Sequence, residues 1–275
     1  MRISVIVPTY KPHSYLWECL NSIYNQSFPK TDYELLLVLN GCNEPYNTQI
    51  NDWLLKHSDL QIQYIQTDEG GVSNARNIAL DKAKGKYVTF IDDDDFVSPD
   101  FLRELYKRVS PTIVSLCYPY AFKDGDLCNQ LSYTVTDAYN YCIKNKCKHL
   151  SSMARKYFSG PCMKLIPMSF IHGRKYNTHF KIGEDSLFMF LISDKIDKIA
   201  FTSTEAVYYR RYRGESASFL NRTAKEQIVN NLQLIWEYIK IYMHGGYSFY
   251  LFATRVASRI RELVLSPIVK IKNRA

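Results

Sequence analysis

A chain of 275 residues that is 46% hydrophobic and 23% charged is too apolar for a disordered segment and close to the upper size for one core, so one large domain with an appendage is expected. Thirty-five basic against 27 acidic residues leave a net +8, which points to an anionic partner: nucleic acid, nucleotide, phosphorylated sugar or membrane surface. The sequence shows no apolar run of about 18 residues and no recognisable signal peptide, and its seven cysteines contain no C-x-x-C pair, so a membrane span, a disulfide framework and a zinc site are set aside and a cytoplasmic protein with reduced thiols is expected.

In chain order, Ile3 to Val7 reads as a β-branched strand ended by Pro8, and Leu16, Leu20, Ile23 and Tyr24 as a helix with Ser14 placed to cap it. Leu35 to Leu39 is a second strand ended by Asn40-Gly41. A helix through Ile50, Trp53 and Leu54, a third strand through Ile62, Tyr64 and Ile65, a helix from Val72 to Lys84 and a strand from Tyr87 to Ile91 follow. Apolar strands separated by amphipathic helices predict an α/β fold with a Rossmann-like, mostly parallel sheet covered on both faces. Ligands of such sheets bind beyond the carboxyl ends of the strands. That rule singles out Pro8-Thr9-Tyr10, Asn40-Gly41 and the run Asp92-Asp93-Asp94-Asp95.

Ser98 and Pro99 predict a helix start, with Ser98 as N-cap. Ile113 to Tyr118 reads as one strand, Asp137 to Lys146 as a helix, Glu184 onward as another helix, and Ile199 to Tyr209 as a final strand. After Asn221 the character changes. Thr223 and Glu226 form a capping-box pair ahead of a stripe of Ile228, Leu232, Ile235, Trp236 and Ile239; Gly245-Gly246 ends that helix and a basic one follows to Leu265 before Pro267. Nine basic against three acidic residues lie from Asn221 to Ala275, so +6 of the +8 sits there.

The four aspartates carry the densest signal. Like charges at a strand end repel unless a cation joins them, and Mg2+ or Mn2+ commonly takes one or two carboxylates plus diphosphate oxygens. The ordinary alternative is an acidic turn before a helix N-terminus. Gly183-Glu184-Asp185-Ser186 offers a carboxylate that could act as general base or simply be helix N-terminal acidity. Tyr209-Arg210-Arg211-Tyr212-Arg213 suits diphosphate contact or a basic surface loop.

Ser4-Val5-Ile6-Val7-Pro8-Thr9-Tyr10, Gly71-Val72-Ser73-Asn74-Ala75-Arg76-Asn77-Ile78-Ala79-Leu80 and Gly85-Lys86-Tyr87-Val88-Thr89-Phe90-Ile91-Asp92-Asp93-Asp94-Asp95 resemble the opening strand, central helix and D-x-D strand of family 2 glycosyltransferases of the GT-A fold. Lys164-Leu165 and Gly183 to Phe188 resemble the acceptor-side motifs, so the likeness covers about residues 1 to 215. The resemblance implies a GT-A catalytic domain over 1–220, with a nucleotide-sugar half (1–95) and an acceptor half (96–220), followed by basic helices over 221–275.

It further implies an inverting transfer from a nucleotide-sugar, UDP-linked, to a hydroxyl of a glycan or lipid-linked saccharide, with Mn2+ or Mg2+ at Asp92 and Asp94 and Asp185 as catalytic base. Pro8, Thr9, Tyr10, Asn40, Arg76, Asp92, Asp93, Arg211 and Arg213 would contact the donor. Leu39-Asn40-Gly41-Cys42 departs from the usual Asp-Asp-Gly-Ser, so Asn40 meets a base edge as donor and acceptor without the family's negative charge. No Q-x-x-R-W motif of processive relatives is present, so one sugar per encounter is expected. The terminal helices are expected either to pack on the catalytic domain or a second subunit, forming a homodimer, or to lie on a membrane through Arg255, Arg259, Arg261, Lys270, Lys272 and Arg274. A non-catalytic module that binds anionic polymer is the rival reading. Nucleic acid becomes the least fitting partner.

Overall fold

The computed structural model describes residues 1–213 and 223–272, with side chains as far as residue 264. Asn221, Arg222 and Arg274, and the side chains of Lys270 and Lys272, lie outside the described residues.

The opening alternation folds as β1 (Ile3–Thr9), α1 (Tyr15–Tyr24), β2 (Tyr33–Asn40), α2 (Tyr46–Lys56), β3 (Gln61–Thr67), α3 (Val72–Lys82) and β4 (Tyr87–Phe90). Every residue of β1 and β2 is buried, as continuous apolar runs demand in a sheet covered on both faces. The first four strands run parallel in the order β4-β1-β2-β3. Pro8 is accommodated because the β1–β4 ladder ends at Ile6 and Phe90, so its missing N–H breaks no bond on that side.

The chain beyond the aspartates adds β5 (Phe96–Val97), α4 (Phe101–Arg108), β6 (Ile113–Leu116), β7 (Tyr118–Lys123), β8 (Asp126–Gln130), α5 (Thr134–Lys144), β9 (Lys164–Pro167), α6 (Met168–Ile171), α7 (Glu184–Leu191), β10 (Lys198–Phe201) and β11 (Val207–Tyr212). Two expected strands each divide in two. β6 pairs with β10 in the seven-stranded sheet β10-β6-β9-β4-β1-β2-β3, and the continuations β7 and β11 pair with each other in a four-stranded sheet β5-β11-β7-β8. The bend falls at Cys117, whose N–H is taken by the Met163 carbonyl, while the Tyr118 N–H goes to Ala206. Both chains thus change sheets together and carry Arg210 to Arg213 beside the aspartates. Ser98 is not the N-cap of α4: its hydroxyl donates to the Glu205 carbonyl at 2.6 Å and accepts from Val207 N–H at 2.8 Å, tying β5 to β11, and Asp100 takes the cap position.

The terminal helices are α8 (Ala224–Met243) and α9 (Phe249–Lys272). The Thr223–Glu226 capping box is formed as expected. α9 continues beyond Leu265 through Pro267, a residue that removes one helical hydrogen bond without by itself stopping the helix. The expected stripe is rotated: α8 buries Asn231, Leu234 and Tyr238, and leaves Ile228, Leu232 and Trp236 exposed. The inner face packs on α7, in a cluster of Phe180, Leu187, Phe190, Leu234, Tyr238 and Leu251. The Tyr238 hydroxyl meets that of Ser186 at 2.7 Å, and Leu234 occupies the space beside Gly183, where a Cβ would lie 2.5 Å from its Cδ1. Arg255 donates to the Phe158 carbonyl and Arg259 pairs with Glu262 at 3.0 Å, so two of the six cations expected to face a membrane are engaged within the chain.

Candidate active site

Each of the four aspartates after β4 has a different partner. Asp92 accepts from Arg76 at 2.9 Å, Asp93 from the Thr9 hydroxyl at 2.5 Å, Asp94 from Arg213 at 2.8 Å, and Asp95 from the Arg211 backbone N–H at 2.7 Å. The repulsion apparent in the sequence is therefore relieved by groups from β1, α3 and β11, which converge at the carboxyl ends of the strands. Burial nevertheless raises the Asp93 carboxyl to about 7 and pushes Asp95 well above its ordinary range, with neighbouring aspartates adding to both.

Arg76 ties the two halves together. It projects from α3 with 3% of its surface exposed, and donates to Asp92 from one terminal nitrogen and to Asp185, at 2.7 Å, from the other. A guanidinium suits this task because its donors are fixed in one plane and can serve two carboxylates at once. Burial raises the Asp185 carboxyl above its ordinary value, and Arg76 works against that shift. Asp185 lies in the first turn of α7, which Gly183, at φ +90°, caps at its N-terminus. Burial, then the charge of Asp185, raises its neighbour Glu184 to about 7.

A cavity of about 370 Å³ lies between the halves, lined by Asp92, Asp95, Asp185, Tyr133, Lys156 and Arg210 among others. Beyond the ends of β1 and β2, Tyr10 is exposed and its ring approaches Gly41, whose φ of +66° and closeness to Gly70 leave no room for a side chain. Pro8 and Thr9 are buried. Asn40 is buried as well, and its carboxamide is directed at the backbone: it donates to the Thr9 carbonyl and accepts from Gly71 N–H, both at 2.8 Å. The structure thus places Asn40 as a fastener between the end of β1 and the start of α3, with its amide turned toward the backbone.

Arg211 departs from expectation in the same way. Its guanidinium is consumed by Glu18, by Asp124 at 2.6 Å and by the Asp94 carbonyl at 2.8 Å, and it is packed against Phe96 and Phe122. Arg213 instead reaches the Asp94 carboxylate and the Tyr15 hydroxyl. Of the other lining residues, Lys156 carries no signal in the sequence and Arg210 enters only as part of the run Tyr209 to Arg213. For Arg210 the signal was strand alternation, which sets it on the opposite face of β11 from Arg211. Lys156 lies in a short 3-10 turn (Ala154–Ser159) with no periodic pattern.

Among the described residues no three His, Cys, Asp or Glu side chains gather into a closed metal cage. The donor set at Asp92 and Asp94 fits a hard divalent cation held open-sidedly, with further oxygens from a diphosphate. Both Arg213 contacts to the Asp94 carboxylate fall on Oδ2, which leaves Oδ1 for such a role.

A family profile described as glycosyl transferase family 2 matches residues 4–197, and the chain belongs to that family. The poly(ribitol-phosphate) beta-N-acetylglucosaminyltransferase TarS of Staphylococcus aureus is 38% identical over 104 residues, which are 38% of this chain and 18% of that protein. The chain therefore spans only a small part of the length of the first curated relatives it matches. In structure it resembles residues 1–349 of S. aureus TarS in complex with UDP-GlcNAc, with a TM-score of 0.72 at 23% identity over 94% of this chain and 72% of that one. It also resembles the mannosyltransferase PcManGT of Pyrobaculum calidifontis in complex with GDP-Man and Mn2+, with a TM-score of 0.62 at 20% identity over 95% and 69% of the two chains. The shared fold is GT-A, a mixed α/β architecture around a mostly parallel sheet.

Proposed function

We propose that this chain transfers a sugar from a nucleotide-sugar to a hydroxyl of a cell-surface glycan or lipid-linked saccharide, with inversion at the anomeric carbon and one sugar per encounter. One observation carries the reading: a single buried guanidinium, Arg76, holds both the aspartate that would meet the donor and the aspartate that would take the acceptor proton. UDP is the favoured nucleotide and N-acetylglucosamine the first sugar to try, since UDP-GlcNAc is the ligand named for the S. aureus TarS structure.

In this mechanism Tyr10 and the Gly41–Gly70 contact form the nucleoside shelf, with Thr9 and Asn40 fixing its shape. Arg213 stands beside Asp94 and supplies positive charge toward the diphosphate. Asp185 accepts the proton of the acceptor hydroxyl as oxygen attacks the anomeric carbon and the nucleoside diphosphate departs. Arg76 keeps Asp185 ionised and aimed. Mn2+ or Mg2+, when bound at Asp92 and Asp94, neutralises charge developing on the leaving group. No described helix is long and apolar enough to cross a membrane. Contact with a membrane surface would fall to exposed groups of the terminal hairpin such as Arg261, Trp236 and Phe249.

The test is a panel of nucleotide-sugars with Mn2+, followed by nucleoside diphosphate release, with Asp185→Asn alongside. Release from at least one donor, lowered by about 100-fold or more in the variant, supports the reading. Equal background for every donor in both proteins rejects it.

A further inference from the structure

Lys164, the first residue of β9, is fully buried, and its ammonium is met by main-chain carbonyls: it donates to Gly160 at 2.7 Å and to Cys162 at 2.6 Å. A buried ammonium is tolerated only where its N–H groups find acceptors. Because these acceptors lie two and four residues back along the same chain, residues 160–163 curl around Nζ. The curl is pinned on both sides, by a parallel bridge from Cys162 to Phe90 at the end of β4 and by the Cys117 N–H, which donates to the Met163 carbonyl at 3.1 Å. It is also strained, since Met163 sits at φ +68° without being a glycine. This strained turn, wrapped on a buried cation, forms part of the wall of the cavity that holds Asp185.

Gly160 is the residue that the curl sets against Asp185. Its backbone is extended, at φ −144° and ψ 169°, which any residue adopts, so conformation does not call for a glycine there. Beyond its chain neighbours, a Cβ at Gly160 would have a single atom within 4 Å, Asp185 Oδ2, at 4.0 Å. Oδ1 of Asp185 accepts from Arg76 at 2.7 Å, whereas Oδ2 accepts no hydrogen bond from a described residue. The bare backbone of Gly160 thus leaves open the approach to the one carboxylate oxygen that no described group occupies. Lys164 stands behind the same wall: burial lowers its ammonium to about 8, and Asp185 is among the groups that work against that shift.

We propose that the acceptor alcohol enters over the bare backbone of Gly160, which makes Gly160 a specificity-determining residue, and that Lys164 is the positioning residue that holds this backbone beside Asp185 Oδ2. This deepens the transferase reading and rests on it. The alcohol oxygen bonds to the anomeric carbon, its proton passes to Oδ2, and the bond from that carbon to the diphosphate oxygen breaks with its electron pair going to the nucleoside diphosphate.

The test uses the full chain with Mn2+ and the donor that the nucleotide-sugar panel yields. Glycerol serves as the alcohol, and mass spectrometry gives the ratio of glyceryl glycoside to free sugar, a quantity that partial loss of folded protein does not move. The wild type should form both products. Gly160→Ala should lower the ratio by about tenfold, because a methyl group at the opening excludes the larger nucleophile before it excludes water. Lys164→Met should lower it as well, since water needs no wall to orient it. Hydrogen exchange, which needs no turnover, should show residues 159–165 of Lys164→Met exchanging about tenfold faster, with β1 and β2 unchanged.

A wild type that yields only free sugar, or an unchanged ratio in Gly160→Ala, overturns the path assigned to the acceptor. Unchanged exchange at residues 159–165 of Lys164→Met, loss of protection along its whole chain, or a fall of both products at constant ratio overturns the positioning role. Absence of nucleoside diphosphate release from the wild type with every donor is a different result: it defeats the transferase reading and the acceptor path with it, while the exchange measurement still decides whether Lys164 holds the wall.

Discussion

Arg76 donates to Asp185 at 2.7 Å although 109 residues separate them in the chain. This bond joins α3, ahead of the aspartate run, to α7, far beyond it, and the second terminal nitrogen of Arg76 extends it to Asp92. Removing one partner of a buried charge cluster costs more than the cluster contributes, because the remaining charges are left unpaired in a poorly solvated place.

Arg76→Met should therefore destabilise the fold by about 3–5 kcal/mol, measured by urea unfolding at neutral pH. Arg76→Lys should recover only part, since a single ammonium is a point donor without the planar fork that serves both carboxylates. Full recovery by lysine would show that charge alone, and not the bridging geometry, matters.

Gly183→Ala should be destabilising for two separable reasons: the backbone sits at φ +90°, and the new Cβ would meet Leu234 Cδ1 at 2.5 Å. Leu234→Ala removes the clash and leaves the backbone cost. In a double-mutant cycle the pair should show a favourable coupling, with the double variant losing less than the sum of the singles.

Tyr238→Phe deletes the hydrogen bond to Ser186 and should cost about 1–2 kcal/mol in unfolding. Because Ser186 is next to Asp185, the same variant should lower kcat with little change in donor KM. A change confined to donor KM would contradict the link between the hairpin and α7.

The stability of the wild type should carry a pH signature from Glu184. Its carboxyl is raised to about 7 in the fold, chiefly by burial and then by Asp185, against an ordinary value of 4.5. A raised folded value contributes stability that is fully present below pH 4.5 and lost as pH climbs through 7. Relative to Glu184→Gln, the wild type should thus lose stability between those limits and then hold a constant difference, a trend readable from urea midpoints at several pH values.

Arg211 and Arg213 should separate in the same assay. Arg213→Ala, which takes a cation from Asp94, should raise donor KM; Arg211→Ala, which breaks contacts to Glu18 and Asp124, should lower unfolding stability with donor KM little changed. Equal effects of the two on donor KM would return Arg211 to the donor site.

Much of this arrangement was legible one-dimensionally. Apolar runs such as Leu35 to Leu39 can only be strands covered on both faces, and the acidic run after Tyr87 to Phe90 sits where a parallel sheet binds its ligand. The Thr223–Glu226 cap is a four-residue pattern and was read directly. Local periodicity therefore determined the β/α order and the helical terminus, and local charge marked the acidic run after β4.

Tertiary structure decided which polar groups have anything left to give. Asn40 and Arg211 look like ligand contacts in the sequence, yet one is spent on the Thr9 carbonyl and Gly71 N–H and the other on Glu18 and Asp124. Arg210, adjacent to Arg211, lies on the opposite face of its strand, where its charge acts on Asp95 and Asp185. It also chose the inner face of α8, where Leu234 beside Gly183 and Tyr238 on Ser186 prevailed over a stripe of comparable hydrophobicity. The physical reason is common to all of these: a hydrogen bond or a packing contact needs a partner at a distance of a few ångströms, and those partners lie tens to hundreds of residues away along the chain.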